Sequence, residues 1–248
     1  MVPKIIHYSW FSGEAYPQWI SDCIDTWKKH LPEYEFILWD KERLREVDSD
    51  FVSEALSVKK WAFAADYVRL YAVYHYGGIW LDTDVEMFKS LNPLLDCEMF
   101  IGKESWVNDK GQVYLTSHCF GAVEGHPFVK ECLDYYTNRH FIINDQEGSP
   151  QLDMTTISYM QATKALRYGF DWNANHKDKS QKLTNGIMVC PSYCFCRPMY
   201  TSMKKVYCIH RCAGAWRDKD TDGRSMTDPK RLTLRVIAWR ILHWLHLK

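Results

Sequence analysis

The chain has 248 residues, enough for one sizeable α/β domain with a full core. Its 31 Lys plus Arg balance 31 Asp plus Glu, and a zero formal charge argues against a nucleic-acid protein, which needs a basic excess to neutralise phosphates. No stretch approaches the length of a membrane-spanning helix, the N-terminus lacks the charged-then-apolar pattern of a secretory signal, and the nine cysteines are odd in number and scattered. A cytoplasmic protein is expected.

Residues 4–10 read as a buried first strand ending at Trp10. Pro17 opens a helix to about His30, since proline suits a first helical turn. A second strand follows over Tyr34 to Trp39, then shorter helical pieces over 41–57. From Trp61 to Tyr76 the chain reads WAFAADYVRLYAVYHY, apolar nearly all round, which predicts a buried helix ending at Gly77. Ile79-Trp80-Leu81 then reads as a buried strand that delivers Asp82 and Asp84 at its end. Further strands are expected over Cys97 to Lys103 and Tyr114 to Val123. Helices are expected over 127–140 and over 153–168, the second with Asp153 as N-cap. Residues 171–186 read as a polar surface loop. Alternating strands and helices predict an α/β fold, a mainly parallel, Rossmann-like sheet with helices on both faces. Ligands of such sheets bind beyond the carboxyl ends of the strands, where Trp10, Asp82 and Asp84 all fall.

Asp66 and Arg69 are the main charged groups of the buried helix and lie three apart, so they share a face. Buried charges are costly unless paired or bound to something. Two readings stand: a self-satisfied internal ion pair, or a ligand site with Arg69 near phosphate and Asp66 on sugar hydroxyls. Side chains at i and i+2 of an extended chain point the same way, so Asp82 and Asp84 would form an oxygen-rich site suited to Mg²⁺ or Mn²⁺. By itself Asp-x-Asp is equally a solvated acidic turn.

The run Ala64-Ala65-Asp66-Tyr67-Val68-Arg69, then Tyr71, then Gly77 through Asp84, resembles the core motif of the family 32 glycosyltransferases, the DXD sugar-binding enzymes. More distantly it is similar to the catalytic domain of the large clostridial glucosylating toxins. The resemblance covers residues 1 to about 95 and resumes at His210 to Trp216. It implies a GT-A type fold and a retaining transfer of a hexose from a nucleotide sugar, UDP-hexose first and GDP-mannose second. The cofactor would be Mn²⁺ or Mg²⁺. The acceptor would be a surface polysaccharide or oligosaccharide, lipid-linked in the leading reading, with the region after about residue 100 supplying its side of the site. Trp10 would stack on the base, Asp66 would hold the sugar, and Arg69 would stabilise the leaving diphosphate. Asp82, Asp84 and His210 would hold the metal, and Trp216 would close as a lid. Ala215 stands where the family commonly has Ser. Two other classes stay open: a phosphohydrolase or nucleotidyltransferase using the same aspartates, and a non-catalytic sugar-binding protein.

His118, in a strand before Gly121, reads as a satisfied core residue or a weak contact to donor or acceptor. Cys190, Cys194, Cys196, Cys208, His210 and Cys212 invite a zinc reading, but their spacings are not those of structural zinc sites. The domain is read as 1–230. Residues 231–248 contain no acid and form a basic amphipathic helix, either packed on the domain or lying on an anionic membrane.

Overall fold

The computed structural model describes residues 1–144, 148–173, 178–196 and 202–212. In chain order the elements are β1 (Ile5–Ser9), α1 (Gln18–His30), β2 (Glu35–Trp39), α2 (Asp50–Ser57), α3 (Trp61–Tyr76), β3 (Gly78–Leu81), β4 (Val85–Met87), β5 (Met99–Val107) and β6 (Val113–Ala122). They continue with α4 (Pro127–Asp134), β7 (Ile142–Asn144), β8 (Pro150–Leu152), α5 (Ile157–Ala165), β9 (Gln181–Lys182), β10 (Ile187–Cys190) and β11 (Cys208–His210).

Seven strands form the central sheet in the order β2-β1-β3-β6-β5-β10-β9. From the pairings, β1, β2, β3, β5 and β10 run one way, and β6 and β9 run against them. The expected mainly parallel sheet with helices on both faces is therefore present, with two reversed strands. Strand alternation divides the core. Ile79 and Leu81 of β3 enter the cluster that holds Trp27 of α1 and Phe195, whereas Trp80 enters the cluster built with α2, α3, α4 and α5.

The passage from α3 to β3 is tightly set. Gly77 has φ +62° and Gly78 φ +95°, and a Cβ on Gly78 would come within 2.7 Å of the Ile5 carbonyl oxygen. Only glycine takes this path without strain. His7, fully buried on β1, has Nε2 2.9 Å from the Gly77 carbonyl and accepts from Trp39 Nε1 at 3.2 Å on Nδ1. An Nδ1 that accepts leaves the proton on Nε2, so His7 is neutral and donates to Gly77. Burial lowers its pKa to about 4, against the pull of that hydrogen bond.

On the other face, α1 fixes β4. The buried Trp27 indole donates to Val85 O at 2.6 Å, and the Met87 amide donates to Thr26 Oγ1 at 2.9 Å. β4, which follows directly on the turn after β3, is thereby held at both ends.

The second half departs from the sequence reading in detail. β5 extends past Lys103 to Val107, and α4 stops at Asp134. Asp153 is not an N-cap: α5 begins at Ile157 behind Thr156, and Asp153 pairs with Arg139, whose Nε lies 2.6 Å from Oδ2. The other Asp153 oxygen accepts the Thr155 amide at 3.1 Å, ahead of the helix. The expected loop 171–186 contains β9, which extends the sheet edge. Among the described residues no helix is long and apolar enough to cross a membrane. The expected helix at 231–248, with the end of the proposed 1–230 domain, lies outside the described residues.

Candidate active site

β3 ends at Leu81, and the chain turns at once: the Val85 amide donates to Asp82 O at 3.0 Å. Asp82 and Asp84 thus meet across a turn, not along an extended strand, which corrects the geometry expected from i, i+2 alternation. The Asp82 amide donates to His118 O on β6 at 3.0 Å, anchoring the start of the turn to the sheet.

Asp82 Oδ1 accepts the Trp80 indole N–H at 2.7 Å and lies 3.4 Å from Arg69 Nη1. Both contacts fall on one oxygen. Arg69 is 4 % exposed. Its Nη2 pairs with Asp66 Oδ1 at 3.0 Å, its Nη1 donates to Ser117 O and Oγ at 2.9 and 3.0 Å, and its Nε donates to Ala65 O at 3.1 Å. The internal ion pair is therefore real, and it extends to Asp82. Arg69 works here as a brace between two carboxylates. Burial pushes the Asp66 pKa up to about 7; Arg69 and the Ile157 amide pull it down, and Asp82 adds to the rise.

His210 arrives from the far end of the described chain. β11 pairs antiparallel with β4, with His210 opposite Val85. His210 Nε2 lies 3.1 Å from Asp84 Oδ1. Burial opposes a charge on the imidazole, but Asp84 and the Cys212 thiol outweigh it and raise its pKa well above the ordinary value. His118 stacks on it, ring centroids 4.3 Å apart and planes at 23°. His118 itself is buried, with Nδ1 2.5 Å from Thr116 Oγ1 and Nε2 3.0 Å from Phe195 O. Burial and the neighbouring His210 hold its pKa well below the usual range. It is a neutral, satisfied wall to His210, with no ring nitrogen left for donor or acceptor.

Asp82, Asp84 and His210 each offer one ligand atom, all within 4.8 Å of one another. Two carboxylates and one imidazole suit a hard divalent cation such as Mg²⁺ or Mn²⁺. Among the described residues no other group of three or more His, Cys, Asp or Glu offers ligand atoms this close, so the cysteines form no zinc cluster there. Cys190, Cys194, Cys196 and Cys208 are buried parts of the core instead.

Trp10 leaves the sheet from the same edge. The β1–β3 register that pairs His7 with Trp80, carried two residues on, sets Ser9 level with Asp82. The Trp10 indole donates to Glu14 O at 2.7 Å and its ring lies 4.9 Å from Tyr16. Trp216 and Ala215 lie outside the described residues.

Two groups at the site were missed by the sequence reading. Ser117 holds Arg69. Glu104 on β5 lies beside Ser158 Oγ at 3.5 Å and feels the charges of His210 and Asp82. Burial raises its pKa. Ser117 lies inside the buried run of β6 and Glu104 just after that of β5, and a single polar residue within a strand carries no local signal of a site.

Fold and site together define an α/β protein with an acidic, arginine-braced cluster at the carboxyl end of a central strand that could hold a cation. Residues 17–101, which include Asp66, Arg69, Asp82 and Asp84, match the family model described as "Glycosyltransferase sugar-binding region containing DXD motif". Inositol phosphoceramide mannosyltransferase 3 of Schizosaccharomyces pombe is 33% identical over 151 residues, 56% of this chain and 40% of that protein. Inositol phosphoceramide mannosyltransferase 2 of the same yeast is 30% identical over 183 residues, 69% of this chain and 46% of that protein. The chain therefore spans less than half the length of these two relatives. A solved structure named PaToxG Glycosyltransferase aligns at 16% identity with a TM-score of 0.48, over 67% of this chain and 69% of that one.

Proposed function

We propose that this protein is a metal-dependent glycosyltransferase that moves a hexose from a nucleotide sugar to a glycan or glycolipid acceptor. The observation that carries the reading is the convergence of Asp82 and Asp84, both inside the stretch that matches the glycosyltransferase sugar-binding region, with His210 from outside it, Asp82 being braced by Arg69. Asp82, Asp84 and His210 would hold Mn²⁺ or Mg²⁺. When bound, the cation would offset the charge that develops on the departing nucleoside diphosphate.

The protein groups have separate tasks. Arg69 fixes the orientation of Asp82 and supplies positive charge behind the diphosphate. Asp66, held by Arg69 and by the α5 amide, accepts hydrogen bonds from donor-sugar hydroxyls. Trp10 stacks on the base; Trp216, the expected lid, lies outside the described residues. Transfer with retention needs no separate protein base if the leaving phosphate oxygen takes the acceptor proton. Both yeast relatives are named mannosyltransferases, which moves mannose ahead of the UDP-hexose expected first from the sequence. Their names also favour an acceptor on a lipid.

Thermal-shift measurements with GDP-mannose, UDP-glucose and UDP-galactose, each with and without Mn²⁺, test the reading, because a ligand of the folded state raises apparent stability. A shift with one donor only when Mn²⁺ is present supports it. Product analysis then separates classes. Glycoside plus nucleoside diphosphate is expected, whereas sugar phosphate or pyrophosphate would replace the reading with a hydrolase or nucleotidyltransferase.

A further inference from the structure

One helical turn connects the acidic site to an exposed group of rings. At the start of α5, the Ile157 amide bonds to Asp66, Ser158 Oγ faces Glu104 Oε1 at 3.5 Å, and Tyr159 touches Tyr114. Tyr114 in turn meets Trp106, on the same strand as Glu104 and two residues beyond it. The rings contact edge to face, with centroids 5.2 Å apart for Trp106–Tyr114 and 5.4 Å for Tyr114–Tyr159. Trp106 is 50% and Tyr159 44% exposed. Neighbouring exposed aromatics on one surface call for a partner more than scattered ones do.

The support beneath them is firm. Asn108 Nδ2 donates to the Tyr114 hydroxyl at 2.9 Å, its backbone amide donates to Gln112 O at 3.0 Å, and the Val113 amide donates to Trp172 O at 2.7 Å. The β5–β6 hairpin is thus tied at its tip and along its flank. Rings held this way lose little freedom when a ligand arrives.

We propose that Trp106, Tyr114 and Tyr159, with Glu104 at the inner end, form a platform for a pyranose ring of the acceptor glycan. This rests on the glycosyltransferase reading and adds the acceptor side to it. A pyranose presents apolar C–H groups on its faces and hydroxyls at its rim. The former suit aromatic rings, and the latter donate to a carboxylate such as Glu104. Continuity with Asp66 and Asp82 places the platform beside the site where a donor sugar would be held. An anionic bilayer fits poorly, because the partly exposed Glu104 carboxylate at the inner end would face its headgroups with like charge. A second copy of the chain needs roughly 800 Å² per partner, more than a few half-exposed rings supply.

Saturation-transfer NMR with methyl α-D-mannopyranoside, glucopyranoside and galactopyranoside, in the presence of Mg²⁺, tests the platform directly. Irradiation of the aromatic protons is expected to saturate the ring protons of at least one glycoside in the wild-type protein. The signal should fall about tenfold in Trp106→Ala and Tyr159→Ala and be largely kept in Trp106→Phe, since phenylalanine still offers an apolar face. Both replaced residues are exposed, and unchanged circular dichroism and melting temperature confirm a folded sample. In transfer to the preferred glycoside, acceptor KM should rise about tenfold while donor KM stays within about twofold. Glu104→Gln should raise acceptor KM with the NMR contacts to the sugar faces retained.

Equal saturation in wild type and Trp106→Ala overturns the platform. So does an enzyme that turns over its nucleotide sugar yet saturates no glycoside. Binding to phosphatidylglycerol vesicles, or dimerisation, that Trp106→Ala abolishes while glycoside signals stay constant also overturns it. If no nucleotide sugar is turned over but glycoside contacts depend on Trp106, the transferase reading fails and the sugar platform stands.

Discussion

Asp66 and Arg69 are buried, Asp82 is half-buried, and Arg69 holds both carboxylates, whereas Trp106, Tyr114 and Tyr159 sit partly in solvent and touch edge to face. The two ends of the site are adjacent through α5 but are built on different terms. Charges taken out of water must be satisfied on every side, so each has several partners, and loss of one leaves the others stranded. Aromatic rings at a surface have no such obligation, and each contributes its area almost independently. A change at the acidic end should therefore spread into stability and chemistry together. A change at the ring end should stay in binding.

The sharpest test is Arg69→Ala. It leaves Asp66 buried with no cation, and breaking a buried pair costs about 3–5 kcal/mol. Urea unfolding checks the loss. Arg69→Lys keeps the charge but not the fork that reaches Asp66, Asp82 and Ser117 at once. Its activity should fall further than its stability accounts for. Stability close to wild type in Arg69→Ala would show that the brace is not structural.

Asp84→Ala comes next. The variant should fold, because the turn is held by Trp27, Thr26 and the β11 pairing rather than by this carboxylate. Turnover should drop about 10²–10³-fold, the usual loss when a group that stabilises developing charge is removed. The Mn²⁺ dependence of nucleotide binding should vanish with it. Wild-type turnover would remove Asp84 from the cation site.

His7 tests the frame beneath the acidic end. Its pKa is lowered to about 4 in the folded protein against an ordinary value of 6.5. The unfolded chain therefore binds the extra proton between these values, and the contribution of His7, full above about pH 6.5, is lost as pH falls toward 4. A shift of this size corresponds to about 3 kcal/mol. His7→Gln should show a shallower loss of stability between those pH values, read from urea midpoints across the range. An unchanged acid slope would mean that His7 is not the group responsible.

Trp10→Ala should affect the two ends least evenly. A stacked base is worth roughly 1–3 kcal/mol by alanine substitution, so donor KM should rise tenfold or more with kcat nearly unchanged. A defect confined to kcat would separate Trp10 from the base. The smallest effect is expected for Tyr114→Phe, which keeps the ring contacts but loses the hydrogen bond from Asn108. One such bond is worth about 1 kcal/mol. The melting temperature should fall slightly and acceptor KM barely move; a large rise in acceptor KM would show that the hydroxyl, not the face, meets the ligand.

Local spacing carried much of this protein. The apolar run from Trp61 to Tyr76, closed by two glycines with positive φ, determined α3, its exit and the strand after it. The three-residue interval between Asp66 and Arg69 determined that they could meet, because helical geometry sets that distance whatever surrounds it. Tertiary structure decided the rest. Asp82 and Asp84 converge because a hydrogen-bonded turn, pinned by α1 and β6, brings them round. His210 was legible only through resemblance, and it stands beside Asp84 because β11 pairs with β4 more than 120 residues earlier in the chain. Glu104, Ser117 and the three rings carried no local signal that they would share one site. Covalent geometry imposes short-range order that can be read directly, whereas pairing and packing across the chain depend on which surfaces bury best together, and no single segment encodes that.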